Sequence, residues 1–253
     1  MENGPRRVKI GCCGFRLGRQ EYFARFPVVE VQQTFYQPPK VETLRRWRED
    51  APAEFEFTLK AWMLITHEAR SPTYRRMKRE LTADEREQVG AFRPTAAVRE
   101  AWRVTKESAE ALGARRILFQ CPASFTPTPE HLRDLRRFFG KTRRGHFTFL
   151  WEPRGEAWTP ELVAELCRDL DLIHVVDPLI ERTVTPDRCY FRLHVRWGGA
   201  ARRSYEDEEL RELYSMLPRG ATSHVLFNNV RMAEDAARFQ RIAADEAAAD
   251  DEE

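Results

Sequence analysis

The sequence predicts an α/β fold: a single (β/α)8 barrel of the TIM type with a long insertion after the third strand. Three observations carry this. Short apolar segments alternate with amphipathic helical patterns along the chain, a rhythm that builds a parallel sheet, and eight such units suffice to close it. Several of these segments alternate with period two and finish on a charged or amide residue, so one face can pack on helices while the other turns inward. The length, 253 residues, is that of one such barrel, and no Gly- or Ser-rich linker divides it. The barrel is predicted to span residues 1–244 and to be followed by an acidic, disordered tail, 245–253. A doubly wound open sheet is the alternative; the missing GxGxxG after the first strand weakens its nucleotide-binding form.

In order, the first strand is Val8–Cys12, running into Gly11-Cys12-Cys13-Gly14, where glycines permit a close backbone approach. The second is Val28–Gln33, with Val29 and Val31 opposite Glu30, Gln32 and Thr34. A helix from about Val41 to Asp50 stops ahead of Pro52, because the residue before a proline avoids the α region. The third strand, Phe55–Ala61, sets Phe55, Phe57 and Leu59 against Glu56, Thr58 and Lys60. Trp62–Phe92 is too long for an ordinary connection and reads as a functional segment or lid. A helix over Thr95–Leu112 closes on Gly113, and the fourth strand, Arg116–Gln120, ends at Pro122. The next helix opens on Thr128-Pro129-Glu130, a cap followed by proline at the first helical position, and ends by Gly140. The fifth strand is Phe147–Glu152; a helix over Thr159–Leu170 repeats the Thr-Pro-Glu opening; the sixth strand is Ile173–Asp177. Pro178 and Pro186 interrupt the link to the seventh strand, Cys189–Arg196, in which Tyr190, Arg192, His194 and Arg196 oppose Phe191, Leu193 and Val195. A helix over Asp207–Leu217, a strand over Ser223–Phe227 and a helix over Ala233–Ala244 complete the chain.

Charged residues make up 32% and hydrophobic ones 42%, which excludes a disordered chain. No apolar run approaches the ~18 residues of a membrane span, and Met1–Lys9 lacks a signal-peptide core, so a cytoplasmic location is expected. The net charge is +2, but residues 245–253 hold six acids and no base, so setting them aside leaves +8 on residues 1–244. A basic body suits an anionic partner. Five cysteines, an odd number without a CxxC, argue against a disulfide framework. Cys12, Cys13 and Cys121 fall one thiolate short of an iron–sulfur set and read as inert buried thiols.

Inward parity selects Glu30, Lys60, Glu152, Arg192 and His194, all near strand C-termini, with Gln120, Asp177 and Asn228 at strand ends and Arg154 just past one. Active sites of such barrels lie at that mouth. A purely structural lumen would favour Val, Ile and Leu, and buried ions must pair with each other or with a ligand. Lys60 is one of only six lysines among 42 basic residues, which suggests a position that wants a compact amine.

The segments Gly11–Phe15, Val29–Tyr36, Phe57–Ala61 with Ile65-Thr66-His67, Phe119–Phe125, Trp151-Glu152-Pro153-Arg154, Phe191–His194 and Phe227-Asn228-Asn229 resemble the DUF72 (YecE-like) family, in order and over nearly the whole chain. The resemblance implies a TIM barrel with a polar pocket at the strand C-termini and no established activity; its similarity to endonuclease IV-like barrels suggests nucleic-acid binding or DNA repair. Cys12, Cys13 and Phe15 replace residues of the commoner Gly-Thr-Ser-Gly-Trp, and Glu152-Pro153-Arg154 lacks the histidine of the usual Glu-Phe-Arg-His, which removes a candidate metal ligand.

Three functions compete. One is hydrolysis of a phosphate-bearing substrate, foremost nucleic acid, in a nuclease-like manner. In it Glu30, Lys60, Glu152 and His194 are the catalytic candidates, and Tyr36, Gln120, Arg154, Asp177, Arg192 and Asn228 the substrate-binding ones. The basic stretch Arg70–Arg79, with Tyr74, would track a backbone. No cofactor is expected; a divalent metal would need three or four of Glu30, Glu152, Asp177 and His194 to converge against the repulsion of Lys60, Arg154 and Arg192. The second is metal-free acid/base or Schiff-base chemistry at Lys60 on a small anionic metabolite. The third is a module that binds single-stranded nucleic acid without turnover. No membrane partner is expected.

Overall fold

The structure is a computed structural model that describes residues 4–194 and 204–252. Val195 and Arg196, expected to extend the seventh strand, lie outside the described residues. The strands are β1 (Arg7–Cys12), β2 (Val28–Val31), β3 (Glu56–Lys60), β4 (Arg116–Gln120), β5 (Thr148–Glu152), β6 (Leu172–Val176), β7 (Tyr190–Leu193) and β8 (Thr222–Phe227). They follow one another in this order around a closed barrel, with helices in the intervals except that between β6 and β7, which is a loop. The helices are α1 (Arg19–Arg25), α2 (Gln33–Tyr36), α3 (Val41–Asp50), α4 (Ala83–Gln88), α5 (Ala96–Leu112), α6 (Pro129–Lys141), α7 (Pro160–Asp169), α8 (Asp207–Ser215) and α9 (Met232–Glu252). Among the described residues no helix is long and apolar enough to cross a membrane.

The chain divides into two compact units, Met1–Glu30 with Pro52–Glu56 and Ile173–Glu253, and Val31–Ala51 with Phe57–Leu172. In the first, β1 pairs in parallel with β2 and, over six residues, with β8, and β7 pairs with β6 and β8. Gly11 is required here: a Cβ would meet the Val28 carbonyl oxygen at 2.0 Å. Tyr22 on α1 ties the β1 end to β2, its hydroxyl accepting from Cys12 N at 2.8 Å and donating to Val28 O at 2.9 Å. In the second unit β3, β4 and β5 pair in parallel. Phe149 packs on Trp102 of α5 and Phe139 of α6, and Phe119 on Phe138 and Phe139. Those aromatic residues take the helix-facing parity and leave Gln120, Leu150 and Glu152 the other. Thr95, Thr128 and Thr159 each cap their helix through the side-chain oxygen.

Two expectations are corrected and one element is added. The second strand ends at Val31; Gln33–Tyr36 turns into α2, because the Thr34 hydroxyl lies 3.0 Å from the Val31 carbonyl and 2.7 Å from that of Lys60, and folds the chain back. A helix that the sequence pattern does not announce, α1, fills the interval between the first two strands. The last helix does not stop at Ala244: it continues to Glu252, and Asp250 takes hydrogen bonds from Arg6 at 2.5 Å and Arg219 at 2.7 Å.

The insertion contains a 3-10 helix, Pro72–Arg76, and α4, which opens on a capping box of Thr82 and Glu85. It ends on three consecutive left-handed residues, Gly90, Ala91 and Phe92, with φ of 86°, 52° and 55°. Their amides bond back to the carbonyls of Leu64 (2.8 Å), Thr66 (3.3 Å) and Ile65 (2.9 Å). Non-glycine residues pay strain in that region, so the surrounding bonds must hold the turn in place.

Candidate functional site

Five of the ten expected site residues fall in each unit. In the first, Glu30 on β2 has no exposed surface, and Arg192 is 1% exposed. Their side chains form an ion pair at 3.0 Å. Tyr190, two residues before Arg192 and hence on the same strand face, donates its hydroxyl to the other Glu30 oxygen at 2.9 Å. A buried carboxylate is tolerable on these terms: a charge partner plus a hydroxyl donor. Arg192 Nη1 lies 3.2 Å from His194 Nε2. A guanidinium only donates, so Nε2 accepts, and a neutral ring carries its proton on Nδ1. The Asn228 side-chain nitrogen Nδ2 lies 3.1 Å from Nδ1, so the ring is held between Arg192 and Asn228. The His194 backbone amide donates to Asp177 Oδ2 at 2.8 Å and that of Leu179 to Oδ1 at 3.1 Å, so Asp177 anchors the backbone after β7 and β6.

Cys13 lies against the Glu30–Arg192 pair; burial, and next the Glu30 charge, push its thiol well above its ordinary pKa. Burial likewise pushes Cys12 and Cys121 up to about 12. All five cysteines are buried thiols. Thiols held protonated are poor nucleophiles and poor metal ligands.

In the second unit Lys60 closes β3 at 5% exposure. Its amine donates to Gln120 Oε1 at 2.7 Å and lies 3.6 Å from the centre of the Phe35 ring, a cation–π contact. Glu152, at the end of β5, is 6% exposed, and its Oε1 receives Arg154 Nε at 2.8 Å and Nη2 at 2.6 Å. Tyr36 on α2 accepts from Arg76 at 2.6 Å, whose guanidinium also lies 4.2 Å from the ring centre. The insertion thus reaches an expected substrate-binding residue.

His67, to which the sequence pattern assigns no role, belongs to this cluster. It is 3% exposed and packs edge-on against Phe35, the ring that also carries Lys60. Its Nδ1 lies 2.8 Å from the Thr66 hydroxyl, and its carbonyl accepts from Tyr74 at 2.7 Å. Burial first, then the positive charges of Lys60 and Arg154, lower its pKa to about 3, so the imidazole stays neutral. Gly90, under the His67 backbone, must lack a side chain: a Cβ there would meet the His67 carbonyl carbon at 2.4 Å. The sequence signal for His67 is slight, a histidine a few residues past a strand that ends on lysine.

Among the described residues no three His, Cys, Asp or Glu side chains converge as a metal site. Asp177 spends both oxygens on backbone amides, and Glu30 is bound by Arg192 and Tyr190.

The family model described as "Protein of unknown function DUF72" matches residues 16–253, so of the resembling segments only Gly11–Phe15 precedes it. No curated protein matches the sequence. A solved DUF72 family protein from Enterococcus faecalis V583 is 21% identical, with a TM-score of 0.68, over 94% of this chain and 98% of its own. One from Thermotoga maritima MSB8 is 21% identical, with a TM-score of 0.67, over 94% and 99%. Endonuclease IV from Thermus thermophilus is 15% identical, with a TM-score of 0.50, over 95% and 98%. At these identities the likeness establishes a shared TIM-barrel fold alone.

Proposed function

The chain belongs to the DUF72 family, and we propose that it binds a phosphate-bearing substrate, foremost nucleic acid, through the Lys60–Arg154 cluster and hydrolyses it. The observation that carries this is the arrangement of the cations: Lys60 is fixed by Gln120 and lies over the Phe35 ring on which the buried His67 packs, Arg154 is fixed by Glu152, and both charges act to lower the His67 pKa after burial. A place where two fixed cations act on a neutral donor is suited to phosphate oxygens. Lys60 is oriented by Gln120 and Phe35, and Arg154 by Glu152, so neither has to be ordered when the ligand arrives. The likeness to an endonuclease IV barrel is consistent with this reading and adds only a shared scaffold.

In the proposed step a water attacks phosphorus and gives its proton to Glu152. The new P–O bond forms as the ester P–O bond breaks, and the leaving oxygen takes a proton from the Lys60 ammonium. The test is incubation of labelled single-stranded and duplex oligonucleotides with the parent and with Glu152→Gln. The expected result is cleavage by the parent, reduced roughly 100-fold or more in the variant while binding persists. Cleavage that survives in Glu152→Gln would overturn the assigned base, and binding without cleavage by the parent would leave a binding module.

A further inference from the structure

The insertion holds a cavity of about 470 Å³ whose lining includes Arg70, Arg75, Arg79, Arg86, Tyr74 and Glu80. Neither Lys60 nor Arg154 lines it. Two of the arginines are already oriented: Arg79 makes two hydrogen bonds to Glu85, at 2.9 and 2.8 Å, and Arg70 one to Glu68, at 2.7 Å. Among the described residues no carboxylate pairs with Arg75 or Arg86, and both are exposed. The cavity wall therefore combines two guanidiniums fixed and offset by Glu85 and Glu68 with two that keep their donors for something else, and Glu80 is the one acidic residue of the lining itself. Guanidiniums in such numbers match the forked geometry of phosphate oxygens. The volume lies within the range of small-ligand sites, and Tyr74 and Pro72 supply a less polar wall.

We propose that this cavity is a second anion site, which binds a phosphate group of a nucleotide or nucleic-acid strand independently of the Lys60 cluster. It extends the reading of a phosphate-bearing substrate but does not require hydrolysis. Its position carries a consequence for the first cluster. Tyr74 lines the cavity and also donates to the His67 carbonyl, and Arg76, two residues on, is stacked on Tyr36. One short 3-10 helix therefore borders both the occupant of the cavity and the residues around Lys60.

The experiment is calorimetric titration of the full chain with inorganic pyrophosphate at low salt, repeated with a short single-stranded oligonucleotide. The variants are Arg75→Ala/Arg86→Ala and, separately, Lys60→Met. Two pyrophosphate sites are expected for the parent and one for each variant, with the affinity at the cavity falling roughly tenfold for each guanidinium removed. The arginines are exposed, so thermal unfolding of the double variant should match the parent, and Arg75→Glu should abolish the same site. Retention of both sites by the double variant would overturn the proposal, as would a parent with a single site that Lys60→Met removes; the latter leaves the Lys60 reading standing. Loss of one site in the double variant alone supports the cavity whatever becomes of Lys60. An oligonucleotide affinity lowered in parallel with that of pyrophosphate would identify a nucleic-acid strand as the occupant, whereas an unchanged one would confine the site to small phosphates.

Discussion

Glu30 and Arg192 show how far a single residue can be read from sequence. Period-two parity placed both on the polar faces of their strands, and the structure joins them in an ion pair at 3.0 Å with no more than 1% exposure. Parity could not say that the pair would consume its own charges. Removing one partner strands a buried ion, so Glu30→Gln or Arg192→Met should each cost about 3–5 kcal/mol in urea unfolding, with the double variant costing less than their sum. His67 carries the pH dependence. Its pKa falls from 6.5 to about 3 on folding, so the unfolded chain binds a proton that the folded chain refuses between those values. Stability is therefore intact above pH 6.5 and falls as the pH drops below it. This residue should account for about 2 kcal/mol of loss between pH 7.5 and 5. His67→Asn should flatten that part of the profile; an identical acid slope in both proteins would show that the imidazole titrates normally.

Elements were legible where a single physical rule governed them. The Thr-Pro-Glu openings at Thr128 and Thr159 and the Gly113 stop mark helix ends by local chemistry, and each cap is present. Ends set by distant contacts were not legible. Gln32-Gln33-Thr34 continues a strand-like alternation, but a side-chain bond to the Lys60 carbonyl, 26 positions away, ends the strand at Val31. Residues 245–253 read as a solvated acidic tail because composition cannot reveal that Arg6 and Arg219 meet Asp250. Truncation after Ala244 should consequently lower the midpoint of thermal unfolding, with Asp250→Asn reproducing part of the loss at low salt. A truncated protein as stable as the parent would return these residues to the status of a passive tail.

Across the whole molecule, the alternation of strands and helices sufficed for the closed eight-stranded barrel, because parallel pairing leaves few topologies that bury both faces. The candidate site was legible only as residue types and parity. Its working parts, the neutral His67, the Phe35 ring shared with Lys60 and the insertion bond from Tyr74, depend on contacts that no local pattern encodes. The central role proposed for Lys60 and Arg154 is to hold phosphate. Fluorescence anisotropy of a labelled single-stranded oligonucleotide against salt, with the parent, Lys60→Met and Arg154→Met, addresses this directly. Each variant should bind roughly tenfold more weakly and lose about one unit of the salt slope; parent-like affinity and slope in both variants would contradict it.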